Sequence, residues 1–282
     1  MTDPDAELPK RRFGRRRRRP RDPRRSRRGL YLLPHLITTA GIFFGFYAIV
    51  EVFTGNPDYA AVGIILAIVC DTLDGRVARM ARSASRFGLE YDSIADTISF
   101  GVAPAMLAFG AGNLHVLGRT GWVMAFLFTV CAALRLARFN VSPGRYRGRF
   151  EGLPSPAAAG VVASTQLFAS ILRDYGVGWT VPESVVASGM AILGLLMVSP
   201  IPYRNFKEVD LRHSYRTLVF VVFAITLVVL EPSVSLFFLG LVYVSSGPAE
   251  WLWRRRAKRP LEEVANPASP EPGEAELNRM TP

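Results

Sequence analysis

The sequence contains little cysteine and little histidine, and this scarcity excludes several kinds of site. The two cysteines, Cys70 and Cys131, lie inside apolar stretches, where packing accounts for them better than a disulfide, and their spacing fits no zinc site. The three histidines, His35, His115 and His213, are scattered along the chain and form no group of ligands. Any metal centre must therefore depend on other side chains.

The chain also lacks an internal repeat and a recognisable cleavable signal peptide. The first apolar stretch begins too late and is too long for a signal sequence, and no convincing cleavage site accompanies it. We therefore expect this stretch to remain in the protein as its first membrane span.

Apolar residues, by contrast, are abundant. They make up 50% of the 282 residues and include 18 Phe, and the mean hydropathy is +0.21. This composition indicates a polytopic membrane protein. Because lipid offers no water to satisfy backbone groups, each span should be a helix, and the predicted fold class is all-α. Apolar runs of about 17 to 25 residues, enough to cross the hydrocarbon core, occur in eight places: 30–53, 58–74, 92–111, 119–137, 156–173, 183–199, 215–231 and 233–252.

The distribution of basic residues predicts how these spans are oriented. Of the 34 Lys and Arg residues, all but Arg119 and Arg173 lie in the two tails or in the loops 75–91, 135–149 and 200–216. Basic residues collect on the cytoplasmic side of membrane proteins. Both termini should therefore be cytoplasmic. We expect the membrane to be a bacterial-type inner membrane.

The two tails differ from the apolar body, which we assign to residues 30–252. Residues 1–29 contain RRFGRRRRRPRDPRRSRR, whose like charges predict a disordered polybasic tail that sets topology and contacts anionic headgroups. RNA binding by this tail is an alternative, but only Phe13 interleaves with the arginines, so no nucleic acid partner is expected. Residues 253–282 are first basic and then rich in Pro and Glu, and predict a second cytoplasmic tail.

Four aspartates occur in the stretch DTLDGRVARMARSASRFGLEYDSIAD, residues 71–96. At helical spacing, one stripe carries Asp71 and Asp74 with the residues that follow them, and a second stripe carries Gly88, Asp92 and Asp96 at i, i+4 and i+8. The basic residues between the stripes predict a cytoplasmic hairpin. The acidic ends of the second and third spans should therefore face each other.

A carboxylate within a membrane helix costs roughly 2.5 to 3.5 kcal/mol, and four of them also repel one another. Divalent metal is the best compensation, because hard oxygen ligands suit Mg²⁺ or Mn²⁺ and four carboxylates can hold two ions. Such pairs, about 3.5 to 4 Å apart, stabilise phosphoryl displacement. A structural alternative is that the aspartates cap helix ends, which applies best to Asp92.

Two glycines lie close to these acids and suggest room for a ligand. Gly75 follows Asp74 directly, and Gly88 lies one helical turn before Asp92. A nucleotide could approach the bare backbone at both positions. Close packing between membrane helices is the alternative explanation for each glycine.

The full pattern resembles the signature of the CDP-alcohol phosphotransferase family. It reads Asp71-x-x-Asp74-Gly75-x-x-Ala78-Arg79, then eight residues, then Gly88-x-x-x-Asp92-x-x-x-Asp96. The stretches LPHLITTAGIFFGF, LRLARFN, EGLPSPAAAG and SPIPYRNFK resemble the membrane-embedded phosphatidylserine synthase branch of that family. His35 departs from the Asn that the family usually has there.

The resemblance implies transfer of the phosphatidyl group from CDP-diacylglycerol to the hydroxyl of L-serine, with release of CMP. It implies that Asp71, Asp74, Asp92 and Asp96 hold Mg²⁺ or Mn²⁺, and that Asp96 also acts as general base. It further implies that the protein forms a homodimer and that membrane lipids are among its partners. The residues implied to bind CDP-diacylglycerol are Thr38, Asp71, Gly75, Ala78, Arg79 and Gly88.

Serine needs a cation for its carboxylate, and the end of the fourth span offers two. Arg135 and Arg138 share a helix face at i, i+3, and Asn140 lies nearby. Arginine suits bidentate binding of a carboxylate. The alternative is that both arginines are ordinary cytoplasmic positive charges.

Three other functions remain open at this stage. A sibling transferase for glycerol phosphate, inositol phosphate or choline would keep the same signature and differ around residues 135–160. An ion-coupled transporter would place its acids near mid-bilayer on broken helices. A structural or nucleic-acid-tethering membrane protein would make the aspartates dispensable.

Overall fold

The structure is a computed structural model that describes residues 23–81, 86–141, 149–177, 181–204, 226 and 230–257. Helices dominate these residues. We label them α1 (Pro23–Phe53), α2 (Pro57–Ala81), α3 (Arg86–Asp96), α4 (Ala103–Gly110), α5 (Arg119–Val141), α6 (Ser155–Asp174), α7 (Glu183–Val198) and α8 (Pro232–Ala257). A π-helical segment, Thr97–Val102, joins α3 to α4 without a break.

In the described part of the chain, five helical stretches have the length and composition needed to cross a membrane: His35–Phe53, Phe87–Gly110, Arg119–Val141, Ser155–Asp174 and Pro232–Ala257. They correspond to the predicted first, third, fourth, fifth and eighth spans. The predicted second and sixth spans are helical but are not among these five. The second lies in α2, which carries three carboxylates, and the sixth is α7, which has only 16 residues. The predicted seventh span falls almost wholly outside the described residues. The helical prediction is thus confirmed for the other seven segments, while the count of eight spans stays a prediction.

Helices α1 and α8 extend beyond the predicted limits of the apolar body. Residues 23–29, which we assigned to the disordered tail, form the first turns of α1, and α8 continues to Ala257. Proline suits the first position of a helix, because its missing N–H has no partner there, and arginine is a good helix former. The basic stretch therefore prolongs the first helix. Residues 1–22 and 258–282 lie outside the described part of the chain.

Two short strands, which the sequence did not predict, connect the helices. β1 (Arg149–Glu151) pairs antiparallel with β2 (Pro202–Arg204). Gly152 follows β1 with φ of +78°, and a Cβ there would lie 2.2 Å from the carbonyl oxygen of Met197. Glycine is required at this turn, which sends the chain from the small sheet into α6.

Among the described residues, the core consists of two groups of buried side chains. The first joins α1, α2, α4 and α6. Most of its fully buried side chains are alanines, which allow membrane helices to approach closely. The second joins α4, α5, α6 and α7 and includes Tyr203 of β2. Burial raises the pKa of Tyr203 to about 12, so its hydroxyl stays protonated and donates to the carbonyl of Val244, 3.0 Å away. The strand pair is thereby held against α8.

The π-helical segment packs directly against α1. The Ser99 hydroxyl donates to the carbonyl of Gly41 at 3.0 Å, and a Cβ on Gly45 would lie 2.5 Å from Ser99 Oγ and 2.8 Å from its Cα. Gly45 therefore permits a backbone approach that any side chain would prevent. This contact lies one helical turn from Asp96 and sets the distance between α1 and α3.

We expect Gly45→Ala to lower the stability of the protein. The added methyl group cannot be relieved by rotating a side chain, because it meets the backbone of Ser99, and such overpacking costs about 1 to 3 kcal/mol. Thermal unfolding in detergent measures the effect. Gly189→Ala in α7 is the matched control, since a Cβ there meets nothing within 4 Å. Equal melting temperatures for the two variants would contradict the close approach.

Candidate active site

Three carboxylates from two helices converge at one end of the bundle. Asp71 comes from α2, and Asp92 and Asp96 come from successive turns of α3. One oxygen of each lies within 4.8 Å of the others, and all three side chains are half-buried. The predicted meeting of the two acidic stripes is therefore present for these three residues, which we call the acidic cluster.

The fourth aspartate, Asp74, is more deeply buried and has a partner on α1. Its carboxylate accepts a hydrogen bond from the hydroxyl of Thr38, and both side chains are buried. Asp74 remains close enough to Asp92 and Asp96 to interact electrostatically with both. Thr38 thus ties α1 to the edge of the acidic cluster, and the ligand roles predicted for Asp74 and Thr38 stay predictions.

Arg135 of α5 lies beside the acidic cluster rather than in the loop. Its Nη1 donates to Ser155 Oγ at 3.0 Å, and its charge acts on Asp96 and Asp71. Within the described residues its buried Nε has no hydrogen-bond partner. A buried donor without a partner costs free energy, so this atom is suited to an acceptor that a ligand supplies.

The other two residues predicted to bind serine have protein partners elsewhere. The guanidinium of Arg138 pairs with the carboxylate of Glu151 in β1, and its Nη1 donates to the carbonyl of Val198 at 3.3 Å. Asn140 Nδ2 donates to Ser93 Oγ at 2.8 Å. These contacts fasten the end of α5 to β1, α7 and α3. Arg135 thus has different partners from Arg138 and Asn140, and the roles predicted for all three in serine binding stay predictions.

Aromatic rings line the junction of α1 and α3 beside the acidic cluster. The rings of Phe87 and Tyr91 stack with centroids 5.9 Å apart, and His35 meets Phe87 edge-on at 5.8 Å. The Tyr91 hydroxyl and Thr39 Oγ1 are 2.9 Å apart. His35 thus contributes an aromatic contact at the position where the related signature usually has Asn.

The remaining signature residues are placed by their helices. Gly75 and Gly88 are half-buried, on α2 and α3. Ala78 and Arg79 continue α2, but their side chains lie outside the described part of the structure. Their predicted contacts with the nucleotide lipid stay predictions.

Sequence reasoning missed Ser155, Glu151 and Tyr91 as neighbours of the site. Ser155 and Glu151 belong to the stretch EGLPSPAAAG, whose resemblance to a family branch was a signal, although no role was assigned to it. Tyr91 directly precedes Asp92, so its position in the chain was the available clue. The partners of these three residues come from distant segments of the chain, which a linear pattern does not reveal.

Comparison with known proteins agrees with this arrangement. The family model for CDP-alcohol phosphatidyltransferase matches residues 31–196, which contain every residue of the acidic cluster. The chain belongs to the CDP-alcohol phosphatidyltransferase family. The match ends before α8, so the contacts of that helix lie outside the part that defines the family.

Several curated relatives of this CDP-alcohol phosphatidyltransferase carry the name CDP-diacylglycerol-serine O-phosphatidyltransferase. The Helicobacter pylori (strain ATCC 700392 / 26695) protein is 37% identical over 226 residues, which cover 79% of this chain and 92% of the relative. The Mycobacterium tuberculosis (strain H37Rv) protein is 32% identical over 274 residues, covering 87% and 93%. The Saccharomyces cerevisiae protein is 41% identical over 151 residues, covering 48% and 53%.

The acidic cluster has the chemistry of a site for a divalent cation. It offers carboxylate oxygens alone, the ligands that Mg²⁺ and Mn²⁺ prefer. Its three oxygens are already close together and come from helices rather than mobile loops. Carboxylates held this close repel each other unless a cation or a proton lies between them. The residues therefore fit such an ion.

Proposed function

We propose that this protein transfers the phosphatidyl group of CDP-diacylglycerol to the hydroxyl of L-serine, giving phosphatidylserine and CMP. The observation that carries the proposal is the convergence of Asp71, Asp92 and Asp96 beside the buried guanidinium of Arg135. Such a site combines groups that bind cations with a group that binds an anion. A phosphatidyl transfer to an amino acid needs both.

The choice of serine as acceptor rests on the relatives. The proteins named above are each called CDP-diacylglycerol-serine O-phosphatidyltransferase, and the first two are covered by this chain over more than nine-tenths of their length. The geometry is compatible with this acceptor, because Arg135 presents a guanidinium nitrogen suited to a carboxylate. Serine is therefore favoured over glycerol phosphate, inositol phosphate or choline.

In the proposed reaction, Asp96 accepts the proton of the serine hydroxyl. The serine oxygen then forms a bond to the phosphorus that carries the diacylglycerol, and the bond from that phosphorus to the CMP oxygen breaks in line with the attack. CMP leaves with the bonding electron pair. Asp96 suits the role of base because it lies beside Arg135, where the serine carboxylate would bind.

Asp71, Asp92 and Asp96 would hold one or two divalent cations, with Asp74 at the edge of the site. Mg²⁺ and Mn²⁺ are the proposed ions, and when bound they would neutralise the charge on the diphosphate and the phosphoryl oxygens. The protein's own contribution is to fix the carboxylates on rigid helices and to orient Asp74 through Thr38.

The nucleotide lipid is proposed to bind along α2 and α1. Gly75 and Gly88 are half-buried and lie beside the carboxylates, so that the cytidine diphosphate can approach the backbone. By resemblance to the family, Ala78 and Arg79 are also proposed to contact the nucleotide lipid, with Arg79 providing a positive charge for the diphosphate and Thr38 a contact from α1. The diacylglycerol chains would remain in the surrounding bilayer.

Within the serine site we assign the carboxylate contact first to Arg135. It is near Asp96, and its Nε is unpaired within the described residues. Arg138 and Asn140 act more indirectly, because their contacts hold the end of α5 against β1 and α3. They border the site and shape it rather than reach its centre.

We also propose the membrane arrangement that the sequence predicts. Eight spans would place both termini and the acidic cluster at the cytoplasmic face of a bacterial-type inner membrane. The basic loops that adjoin Asp71, Asp96 and Arg135 support this orientation. The helical domain would then run from α1 to α8 between two cytoplasmic tails, and a homodimer is proposed on family resemblance alone.

The function is tested by incubating purified protein with CDP-diacylglycerol and one acceptor at a time. We expect CMP release with L-serine and not with glycerol 3-phosphate, inositol phosphate or choline, because only serine matches the names of the relatives. EDTA should abolish the release, and Mg²⁺ or Mn²⁺ should restore it. Faster release with another acceptor would refute serine, and full turnover in EDTA would refute the metal site.

Asp96→Asn should lower turnover at every serine concentration. The change keeps size and hydrogen bonding but removes the base, and loss of a general base alone costs about 10² to 10⁴ in rate. Initial rates at saturating CDP-diacylglycerol measure the effect. Asp174→Asn, at the exposed end of α6, is the control and should retain full rate. Near-normal turnover by correctly folded Asp96→Asn protein would show that another group accepts the proton.

Arg135→Lys should raise the KM for serine about tenfold, because lysine keeps the charge near Asp96 but loses the guanidinium geometry. The KM for CDP-diacylglycerol and kcat should change much less. Glu151→Gln and Arg138→Ala both break the ion pair between α5 and β1, and each should raise the serine KM less than Arg135→Lys does. A larger rise in the serine KM for Arg138→Ala than for Arg135→Lys would move the carboxylate site to the end of α5.

A further inference from the structure

Two tyrosines that lie outside the family match meet between α8 and the small sheet. The match ends at residue 196, whereas Tyr203 belongs to β2 and Tyr243 to α8. Their ring centroids are 5.6 Å apart, and the ring planes are inclined by 52°. Tyr203 is fully buried and Tyr243 is half-buried. We call these two residues the tyrosine pair.

Helix α8 runs antiparallel to α6. The stacked rings of Phe168 and Phe237 have centroids 4.6 Å apart, and nearer the start of α6 a Cβ on Gly240 would lie 2.8 Å from Val161 Cγ2. As the chain advances along α8, its contacts therefore move towards Ser155, the first residue of α6. The residues that follow Gly240 approach the level at which Ser155 accepts a hydrogen bond from α5.

Tyr203 fixes the rotation of α8 at this level. Pro248 has no N–H to donate to the carbonyl of Val244, one turn earlier, and the Tyr203 hydroxyl donates to that carbonyl at 3.0 Å. A Cβ on Gly247 would lie 2.4 Å from Tyr203 Cζ, so the ring lies against the bare backbone of α8. Tyr243 and Gly247 share a helix face at i, i+4. Tyr243 is therefore held on the side of α8 that faces Tyr203.

Tyr243 is a neighbour of the Arg135 guanidinium, with which it interacts electrostatically. Arg135 also donates to Ser155 Oγ at 3.0 Å. Both hydroxyl groups are neutral at pH 7, so they can orient the guanidinium without cancelling its charge. The charge of Arg138, by contrast, is paired with Glu151. The charge of Arg135 thus acts on the acidic cluster and on an incoming carboxylate.

We propose that Tyr243 is a positioning residue for the acceptor: supported by Tyr203, it keeps the Arg135 guanidinium directed towards Asp96 and the serine carboxylate. A long side chain loses conformational entropy when a ligand fixes it, so fixing it beforehand favours binding. This role rests on the proposed function and extends it to α8, a helix outside the part of the chain that defines the family.

The kinetics of CMP release by purified full-length protein test this role. Tyr243→Phe removes only the hydroxyl and should raise the KM for L-serine about fivefold, the effect of losing one polar contact. The melting temperature should stay that of wild type, and kcat and the KM for CDP-diacylglycerol should change less than the serine KM. Tyr243→Leu also removes the ring and should raise the serine KM further.

Two matched variants of α8 control for general effects. Ser245→Ala removes an exposed hydroxyl that bonds only within its own helix, and Phe238→Leu removes a ring that is exposed. Both should show the wild-type KM for serine.

A double-mutant cycle shows whether Tyr243 acts through Arg135. Adding Tyr243→Phe to Arg135→Lys should raise the serine KM no further than Arg135→Lys alone, because the guanidinium that Tyr243 positions is already gone. Effects that multiply in the double variant would make Tyr243 independent of Arg135 and would overturn the proposed role.

The remaining outcomes are also decisive. An unchanged serine KM in both Tyr243 variants, with normal serine turnover by wild type, would overturn this role alone. A lower melting temperature with both KM values unchanged would show that Tyr243 serves only the stability of the fold. Absence of serine turnover in wild-type protein would refute the proposed function, and this role with it.

Discussion

Mutual repulsion among carboxylates inside an apolar helix bundle is the constraint on which the rest of the structure depends. Asp71, Asp92 and Asp96 approach within 4.8 Å of one another, at positions where even a single charge is costly. Each neighbour reduces that cost by a different means. Thr38 donates a hydrogen bond to Asp74, Arg135 brings an opposite charge, and the side chains of the cluster are only half-buried.

Close backbone packing keeps this arrangement rigid. The approach of Gly45 to Ser99 fixes α1 against the helix that carries Asp92 and Asp96, and alanine-rich contacts hold α2 against α1 and α6. A hydrogen bond also ties the π-helical segment to α5, since the Thr129 hydroxyl donates to the carbonyl of Gly101. A site that must hold like charges together is thus supported by helices that cannot readily move apart.

Helical periodicity was sufficient to predict most of the acidic cluster. Asp71 on one helix and Asp92 and Asp96 on the next could be brought together by assuming only 3.6 residues per turn and a hairpin between the spans. Periodicity could not separate Arg135 from Arg138, which share a face at i, i+3. Their difference arises from Ser155 and Glu151, which a glycine turn and a two-stranded sheet bring to α5 from elsewhere in the chain. Three-residue strands leave no periodic pattern, and the start of α1 at Pro23 was hidden because charge alone suggested a disordered tail.

The π-helical segment has a consequence for how one helix serves two surfaces. A π turn holds one more residue than an α turn, and one additional residue rotates everything beyond it by about 100°. The stretch from Arg86 to Gly110 is therefore two α-helices in series with different phases, the first amphipathic and the second apolar throughout. The first directs Asp92 and Asp96 towards α2, and the second directs Leu107 and Ala108 into the core. An evolutionary deletion of one residue between Thr97 and Val102 would restore a regular α-helix. It would also rotate the acids by about 100° relative to the side chains that face the core, so that both sets could no longer face their present partners.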